Sequence, residues 1–142
     1  MIRPFQKQDL NACMQIWLDS NVAAHHFIAK EYWLQNYETV AGLLPEAELY
    51  VYEENGMLEG FIGLTGSYIA GIFVRENARS KGLGKQLTDY AKGIKPSLSL
   101  HVYTRNTRAV SFYQREGFVI QDETIDENTG EKEFVMNWQA AV

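Results

Sequence analysis

The sequence predicts an α/β fold with antiparallel hairpins at the start and at the end of its sheet, and three observations carry that expectation. Apolar positions at helical spacing alternate along the chain with short strand-like runs. The dipeptide Asn55-Gly56 joins two such runs, and both residue types tolerate the positive φ of a tight type I′ turn. Two more β-rich runs flank the turn residues Asn128-Thr129-Gly130 near the end of the chain. At 142 residues the chain is expected to form one domain, residues 1–142, large enough to bury a core without staples.

In chain order, residues 2–4 suit a short edge strand, with Pro4 marking its exit. Asp9 is an expected N-cap, because Leu10, Cys13, Ile16 and Trp17 follow at helical spacing to about Ser20. A weaker helical pattern covers residues 29–44 and stops at Pro45. Strands follow at 49–53 and 58–64, then at 68–74 after the turn Thr65-Gly66-Ser67. Residues 82–94 read as a helix with Leu83, Leu87, Tyr90 and Ala91 inward, and 98–103 as a buried strand. A helix over 106–116 is closed by Gly117 at its left-handed C′ position. Residues 118–121 and 133–138 are the closing hairpin.

Composition excludes several classes. Hydrophobic residues make up 46% and charged residues 22%, so disorder, collagen and coiled coil fit poorly. No apolar stretch approaches the roughly 18 residues of a membrane span, and residues 1–8 lack a signal-peptide core. The one cysteine, Cys13, excludes an internal disulfide framework and a Cys-rich zinc site, and fits the reducing cytoplasm. His25, His26 and His101 lack chelating spacing, so no metal is expected. A net charge of −5 argues against nucleic acid as a partner. The charge is nonetheless segregated. Residues 75–92 hold five basic side chains against two acidic, while residues 116–133 hold seven acidic against one basic.

The basic stretch carries the chemistry. A strand at 68–74 leads through Arg79, Ser80 and Lys81 into a helix start that contains Gly82, Leu83, Gly84 and Lys85. Glycines admit an anion close to the backbone, the first amides of a helix are free to point at it, and the helix dipole favours negative charge. Convergence of these donors with Arg79, Lys81 and Lys85 suits a diphosphate. A P-loop needs Gly where Arg79 stands and Ser or Thr where Gln86 stands, and a dinucleotide fingerprint needs a small residue at Leu87. Neither motif applies.

Arg79-x-x-Gly82-x-Gly84 after an apolar strand resembles motif A of the GNAT superfamily of N-acetyltransferases. Further on, Asn106-x-x-Ala109-x-x-Phe112-Tyr113-x-x-x-Gly117-Phe118 resembles its motif B. Ile16-Trp17, residues 25–27, Glu31-Tyr32 and Phe73-Val74 look like a bacterial subgroup of small members. The resemblance implies a mixed, mostly antiparallel central sheet of about six or seven strands flanked by about four helices, split between the strands 68–74 and 98–103, with acetyl-coenzyme A in the split. Gly71 inside a strand fits a bulge or the close approach of a ligand. Ile72, Phe73 and Val74 would pair with the pantetheine amides, residues 79–85 would hold the pyrophosphate, and Asn106, Ala109 and Phe112 would follow the pantetheine arm, with Phe112 directed to the core. Asn106 also suits a helix N-cap.

Tyr113 occupies the position where many members place the acid that protonates the departing thiolate. Relatives with a Glu at the start of the strand near residues 66–68 use it as a base, and this chain has none there. Direct attack needs only a neutral amine, so a dedicated base is not required; if there is one, His25, His26, Glu31, or Tyr68 through water, are the candidates. Trp17, Asn21, His25, His26, Phe27, Tyr32 and Trp33 would line the acceptor pocket, and the acidic hairpin beside it would attract a cationic amine. The expected activity is transfer of acetyl from acetyl-coenzyme A to a small-molecule or peptide amine by direct attack in a ternary complex. The expected partners include neither nucleic acid nor membrane, and a homodimer is left open. The competing reading is a non-catalytic acyl-coenzyme A sensor or interaction module that keeps the same cradle; longer acyl donors and hydroxyl acceptors stand behind it.

Overall fold

A computed structural model describes residues 1–141, Ser80 through its backbone alone. The strands are β1 (Ile2–Pro4), β2 (Glu48–Glu54), β3 (Met57–Thr65), β4 (Tyr68–Val74), β5 (Ser97–Tyr103), β6 (Val119–Ile125) and β7 (Lys132–Gln139). The helices are α1 (Leu10–Ala24), α2 (Lys30–Leu43), α3 (Leu83–Ile94) and α4 (Thr107–Arg115). All seven strands join one sheet in the order β1-β2-β3-β4-β5-β7-β6. Every neighbouring pair is antiparallel except β4 with β5. A parallel pair needs a long crossover, and α3 provides it. The mixed, mostly antiparallel sheet flanked by four helices is therefore the fold the chain adopts. No helix among the described residues is long and apolar enough to cross a membrane.

Local chemistry explains the elements. Asn55 and Gly56 have φ values of 54° and 78°, as the type I′ turn between β2 and β3 requires. Alternation along β3 sends Phe61 to one face and Ile62 to the other, which builds a core on each side of the sheet. On one face Leu87 and Ala91 of α3 meet Ile62, Leu64, Leu98, Leu100 and Met136. On the other, Cys13, Met14, Ile16 and Trp17 of α1, with Trp33 of α2, meet Leu49, Val51 and Phe61. Each fully buried large side chain of this kind is worth about 1.5–3 kcal/mol. Cys13 belongs to that core; burial pushes its thiol up to about 12, so it packs and is not a nucleophile.

Several boundaries differ from expectation. Helix α1 continues past Ser20 to Ala24, because the buried Asn21 satisfies its amide within the helix, Nδ2 donating to the Trp17 carbonyl at 2.9 Å. Pro45 lies in a 3₁₀ turn (Leu44–Glu46) that follows α2. Strands β6 and β7 extend to the turn itself, where the Gly130 amide donates to the Asp126 carbonyl at 2.7 Å. Gly82 is not helical: it has φ 76° and precedes α3.

Asp9 does not cap α1 with its side chain. Its carboxylate instead accepts from Arg3 Nη1 at 2.8 Å, from Arg3 Nη2 at 3.0 Å and from the Gln6 amide at 2.8 Å. Arg3 also reaches Glu53, at 3.3 Å from Nε and 3.2 Å from Nη2, so one guanidinium ties β1, the entry to α1 and the end of β2 together. The Arg3 hydrogen bonds hold the buried Asp9 carboxyl below the usual carboxylate range. Charged hydrogen bonds of this kind contribute about 1.5–3 kcal/mol. A carboxyl with a depressed folded pKa stabilises above its unfolded value of about 3.9 and loses that contribution as pH falls through the folded value. Asp9→Asn is therefore expected to be less stable by about 1.5–3 kcal/mol in urea unfolding at neutral pH, with the deficit closing below about pH 4.

Candidate functional site

The parallel pairing of β4 with β5 is short, Tyr68 lying opposite Ser99 and Ile69 opposite Leu100. Beyond Ile69 the two strands part. The cause lies on the other edge of β4, where Gly63 pairs with Gly71 but Leu64 pairs with Ile69, leaving Ala70 as an extra residue. Such a bulge bends its strand. Gly71 permits the bend, since a Cβ there would lie 2.4 Å from the Phe73 ring. The split opens a cavity of about 650 Å³ walled by Ala70, Gly71, Ile72, Phe73 and Val74 on β4, by His101, Val102 and Tyr103 on β5, and by Asn106, Ala109, Phe112 and Tyr113 around α4. This unpaired edge of β4 offers backbone amides and carbonyls to a ligand of matching extended shape.

Beside it, Arg75 anchors the loop into α3, its amide donating to the Glu59 carbonyl and its Nε to the Leu58 carbonyl, each at 2.8 Å. The first helical bond of α3 runs from the Gln86 amide to the Gly82 carbonyl at 3.1 Å, so the earlier amides lack an intrahelical acceptor. Arg79, Gly82, Gly84 and Lys85 line the cavity there. A Cβ on Gly84 would meet the Phe112 ring at 3.4 Å, so the glycine keeps α3 and α4 close without filling the gap between them. Free amides, an adjacent arginine and an open strand edge suit the pyrophosphate and the amide-bearing arm of coenzyme A.

The cradle differs in detail from expectation. Lys85 is paired with Glu116 at 3.1 Å and with Asp89 at 3.5 Å, so it is not an unpartnered cation. Lys81 is exposed off the cavity wall, and Leu83 is 2% exposed in the core, leaving it only a backbone amide to offer. The side chain of Ser80 lies outside the described residues. Arg108 and Arg115 stand on the wall and escaped the sequence reading, because their positions on α4 relative to the groove are tertiary. Phe112 does not enter the core; it faces the cavity against Gly84.

Tyr113 lines the cavity with its ring packed edge-on to Phe118 at 5.6 Å and to Phe112 at 5.3 Å. It is both a packing and a cavity residue. Burial, with a smaller contribution from Tyr68, raises its phenol well above the usual tyrosine value and keeps it protonated.

Trp17, Asn21, His25 and Trp33 also reach the cavity, whereas His26, Phe27, Tyr32 and Glu31 do not. The extension of α1 makes His25 its C-cap, and that turns the next residues away. The His25 ring stacks on Trp33 at 5.4 Å and meets Tyr103 edge-on at 5.1 Å. His26 is exposed; Phe27 packs between Tyr103 and the Arg105 guanidinium, and Tyr32 lies edge-on against Trp33. Asn106 caps α4, its Oδ1 accepting from the Ala109 amide at 3.3 Å, which leaves Nδ2 to donate to His25 Nε2 at 3.2 Å. The proton of neutral His25 is thereby assigned to Nδ1, which is buried without a partner. Burial lowers the imidazole to about 4, so His25 is neutral at physiological pH with its basic nitrogen already engaged.

Across the cavity lies a polar group that the sequence reading did not assemble. Tyr68 Oη is 3.0 Å from His101 Nδ1. Tyr103 and Glu133 are directly opposite in the β5–β7 register, and both line the cavity with Tyr68 and His101. Burial, reinforced by Asp126, raises the Glu133 carboxyl, and burial likewise raises the Tyr68 phenol. Asp126 is committed to the hairpin, accepting from Tyr103 Oη at 2.6 Å and from the Asn128 amide at 3.0 Å. The alternation of β5 marks His101 and Tyr103 as facing opposite to Leu100 and Val102, but pairing with Glu133 depends on strand order. A second cavity, of about 480 Å³ between α1 and residues 75–79, mixes Lys30, Arg75 and Arg79 with Asp19 and Glu76 and has no such open strand edge.

Comparison with known proteins agrees with this geometry. The family described as an acetyltransferase (GNAT) domain matches residues 45–120. The chain is 36% identical over 140 residues to the peptidyl-lysine N-acetyltransferase YiaC of Escherichia coli, covering 97% of this chain and 96% of that protein. The solution structure of apo-form YjaB from Escherichia coli superposes with a TM-score of 0.88 at 28% identity, covering 99% of this chain and 98% of that one. PaiA N-acetyltransferase of Thermoplasma acidophilum, solved in complex with coenzyme A, shares the fold at a TM-score of 0.85 and 20% identity over 99% of this chain and 98% of that one.

Two outcomes follow from the site. Gly82→Asp puts a carboxylate and a side chain at a positive-φ position beside the free amides of α3; it is expected to abolish coenzyme A binding in calorimetry at a folding cost of only about 1–2 kcal/mol. Unchanged affinity would remove the cradle from this loop. His25 has a folded value of about 4 against about 6.5 for an unfolded imidazole, so its contribution to stability is complete above about pH 6.5 and is lost as pH falls towards 4. His25→Gln should flatten the dependence of Tm on pH across that window.

Proposed function

The chain belongs to the GNAT family of acetyltransferases and is an acetyl-coenzyme A-dependent N-acetyltransferase; from that premise we propose that its acceptor is the ε-amine of a lysine in a peptide or protein, acetylated by direct attack in a ternary complex. The observation that supports this acceptor is the cavity wall away from the α3 cradle. Trp17, Trp33, Tyr68 and Tyr103 offer apolar ring surface to an unbranched four-carbon stem, and the half-buried Glu133 offers a carboxylate to the cationic tip. YiaC, named as a peptidyl-lysine N-acetyltransferase, is similar along nearly its whole length.

On this reading each part of the site has a task. The amides at the start of α3 and Arg79 hold the pyrophosphate. The open edge of β4 at Ile72, Phe73 and Val74 aligns the arm so that the thioester reaches Tyr113. Holding both reactants in one cavity supplies proximity worth up to about 7–11 kcal/mol. Tyr113 then gives its proton to the sulfur as the carbon–sulfur bond breaks. Its raised pKa makes the transfer uphill in isolation, but a thiolate forming in the same desolvated cavity is raised as well, which narrows the gap.

A blocked peptide with a single lysine, incubated with acetyl-coenzyme A and followed by release of free thiol, tests the acceptor. Tyr113→Phe keeps the ring packing and removes only the hydroxyl. It is expected to lower kcat by about 10² while calorimetric affinity for coenzyme A stays within a factor of about 2. An effect confined to KM would make Tyr113 a packing residue.

A further inference from the structure

A lysine amine reaches this cavity protonated, since its ordinary pKa is about 10.4, and it attacks only as the neutral amine. Something must take the proton. Three of the four side chains suggested by sequence for this task are excluded by position: His26 and Glu31 are off the cavity, and His25 has its Nε2 occupied by Asn106, which leaves Tyr68. The hydrogen-bonded pair Tyr68–His101 meets the requirement. Tyr68 sits where β4 leaves β5, inside the cavity near Tyr113, and His101 connects it at 3.0 Å to the exposed face of β5.

We propose that Tyr68 and His101 form a proton relay that discharges the acceptor ammonium, Tyr68 touching the amine and His101 acting through it. This deepens the amine-transfer reading and rests on it. In the step, one N–H bond of the ammonium breaks as its proton passes to Tyr68 Oη, while the Tyr68 hydroxyl proton passes to His101 Nδ1. The phenol is neutral before and after, so its burial is no obstacle. The imidazolium then releases the proton on its Nε2 to solvent, and exchange with solvent at the exposed ring returns the remaining proton from Nδ1 to Nε2, so that Nδ1 is again an acceptor. The second nitrogen proton leaves to solvent after attack, and the Tyr113 phenolate formed when the thiolate is protonated takes one proton back from solvent, so the net release is the single proton of the ammonium. The groups facing the pair are Glu133 on β7, Tyr103 on β5 and Tyr113 on α4, with Asp126 behind Glu133. Glu133 favours both the incoming cation and the transient imidazolium.

The test measures kcat/KM from about pH 6 to about pH 9.5 with the single-lysine peptide and with a simple alkylamine, for wild type, Tyr68→Phe, His101→Gln and the double variant. Wild type is expected to level off within this pH range. Each single variant should be slower by about 10² at neutral pH, and its rate should climb with pH as the amine deprotonates unaided. The double variant should be no slower than the poorer single one, because the two act as a unit. Coenzyme A affinity should not change in any of them. Wild-type profiles in both single variants, or losses that multiply in the double variant, would overturn the relay. Transfer to the alkylamine alone would overturn the peptide-lysine reading, and the relay is then judged on the alkylamine profile. Transfer to neither would overturn both.

Discussion

The early end of the β4–β5 pairing is the constraint from which the rest of this molecule follows. Two parallel strands joined through α3 would ordinarily continue side by side, and a continuous sheet would leave no groove. The extra residue at Ala70 bends β4 after Ile69, and Gly71 leaves room for the Phe73 ring to fold back over the bend. Backbone groups that would have joined a ladder instead face the cavity, where they are obligatory hydrogen-bonding groups in search of partners. The cores on either face of the sheet hold the open arrangement in place. Leu98, Leu100 and Val102 pin β5 to the α3 side, while Phe61 and Phe73 pin β3 and β4 towards α1.

Charge is unevenly distributed along the cavity. Cations and free amides gather near the start of α3, where a diphosphate would lie. The lining then becomes neutral around Ile72, Ala109 and Tyr113, and ends in the polar side chains of Tyr68, His101 and Glu133. Desolvation governs this part: it keeps Tyr113 and Tyr68 protonated and makes His25 a neutral structural acceptor. His25 and Asn106 link the end of α1 to the cap of α4, so the two elements that confine the substrate end share one hydrogen bond. An imidazole spent on architecture leaves proton transfer to another group, which is why the Tyr68–His101 contact carries weight.

The fold was largely legible before any coordinates, because its signals are local. Asn55-Gly56 specifies a turn by its own backbone freedom, Pro45 cannot continue a helix, and the periodicity of residues 83–91 marks an apolar stripe whatever it packs against. The turn into α3 was legible for the same reason, since glycines, basic residues and a helix start adjoin in sequence. Asp9 was misread because an N-cap and an arginine clamp need the same residue type at the same place; only the approach of Arg3 from β1 decides between them. Phe112 lies on the cavity rather than in the core because α4 approaches α3 at Gly84, a tertiary contact that helical spacing does not reveal.

By itself the sequence determined the class of fold, the glycine-bearing basic turn into α3 and the placing of Tyr113 on the helix that follows β5, since each depends on residues within a few positions of one another. Tertiary structure alone decided which side chains share the end of the cavity away from α3. His101, Glu133 and Tyr68 come from three strands whose adjacency is set by the order β4-β5-β7, and a register change of one residue would turn Glu133 to the opposite face. Burial was likewise a tertiary outcome. Identical imidazoles at His25 and His101 differ in role because one is enclosed by Trp33, Tyr103 and Asn106, while the other stands at the exposed face with Tyr68 bonded to it.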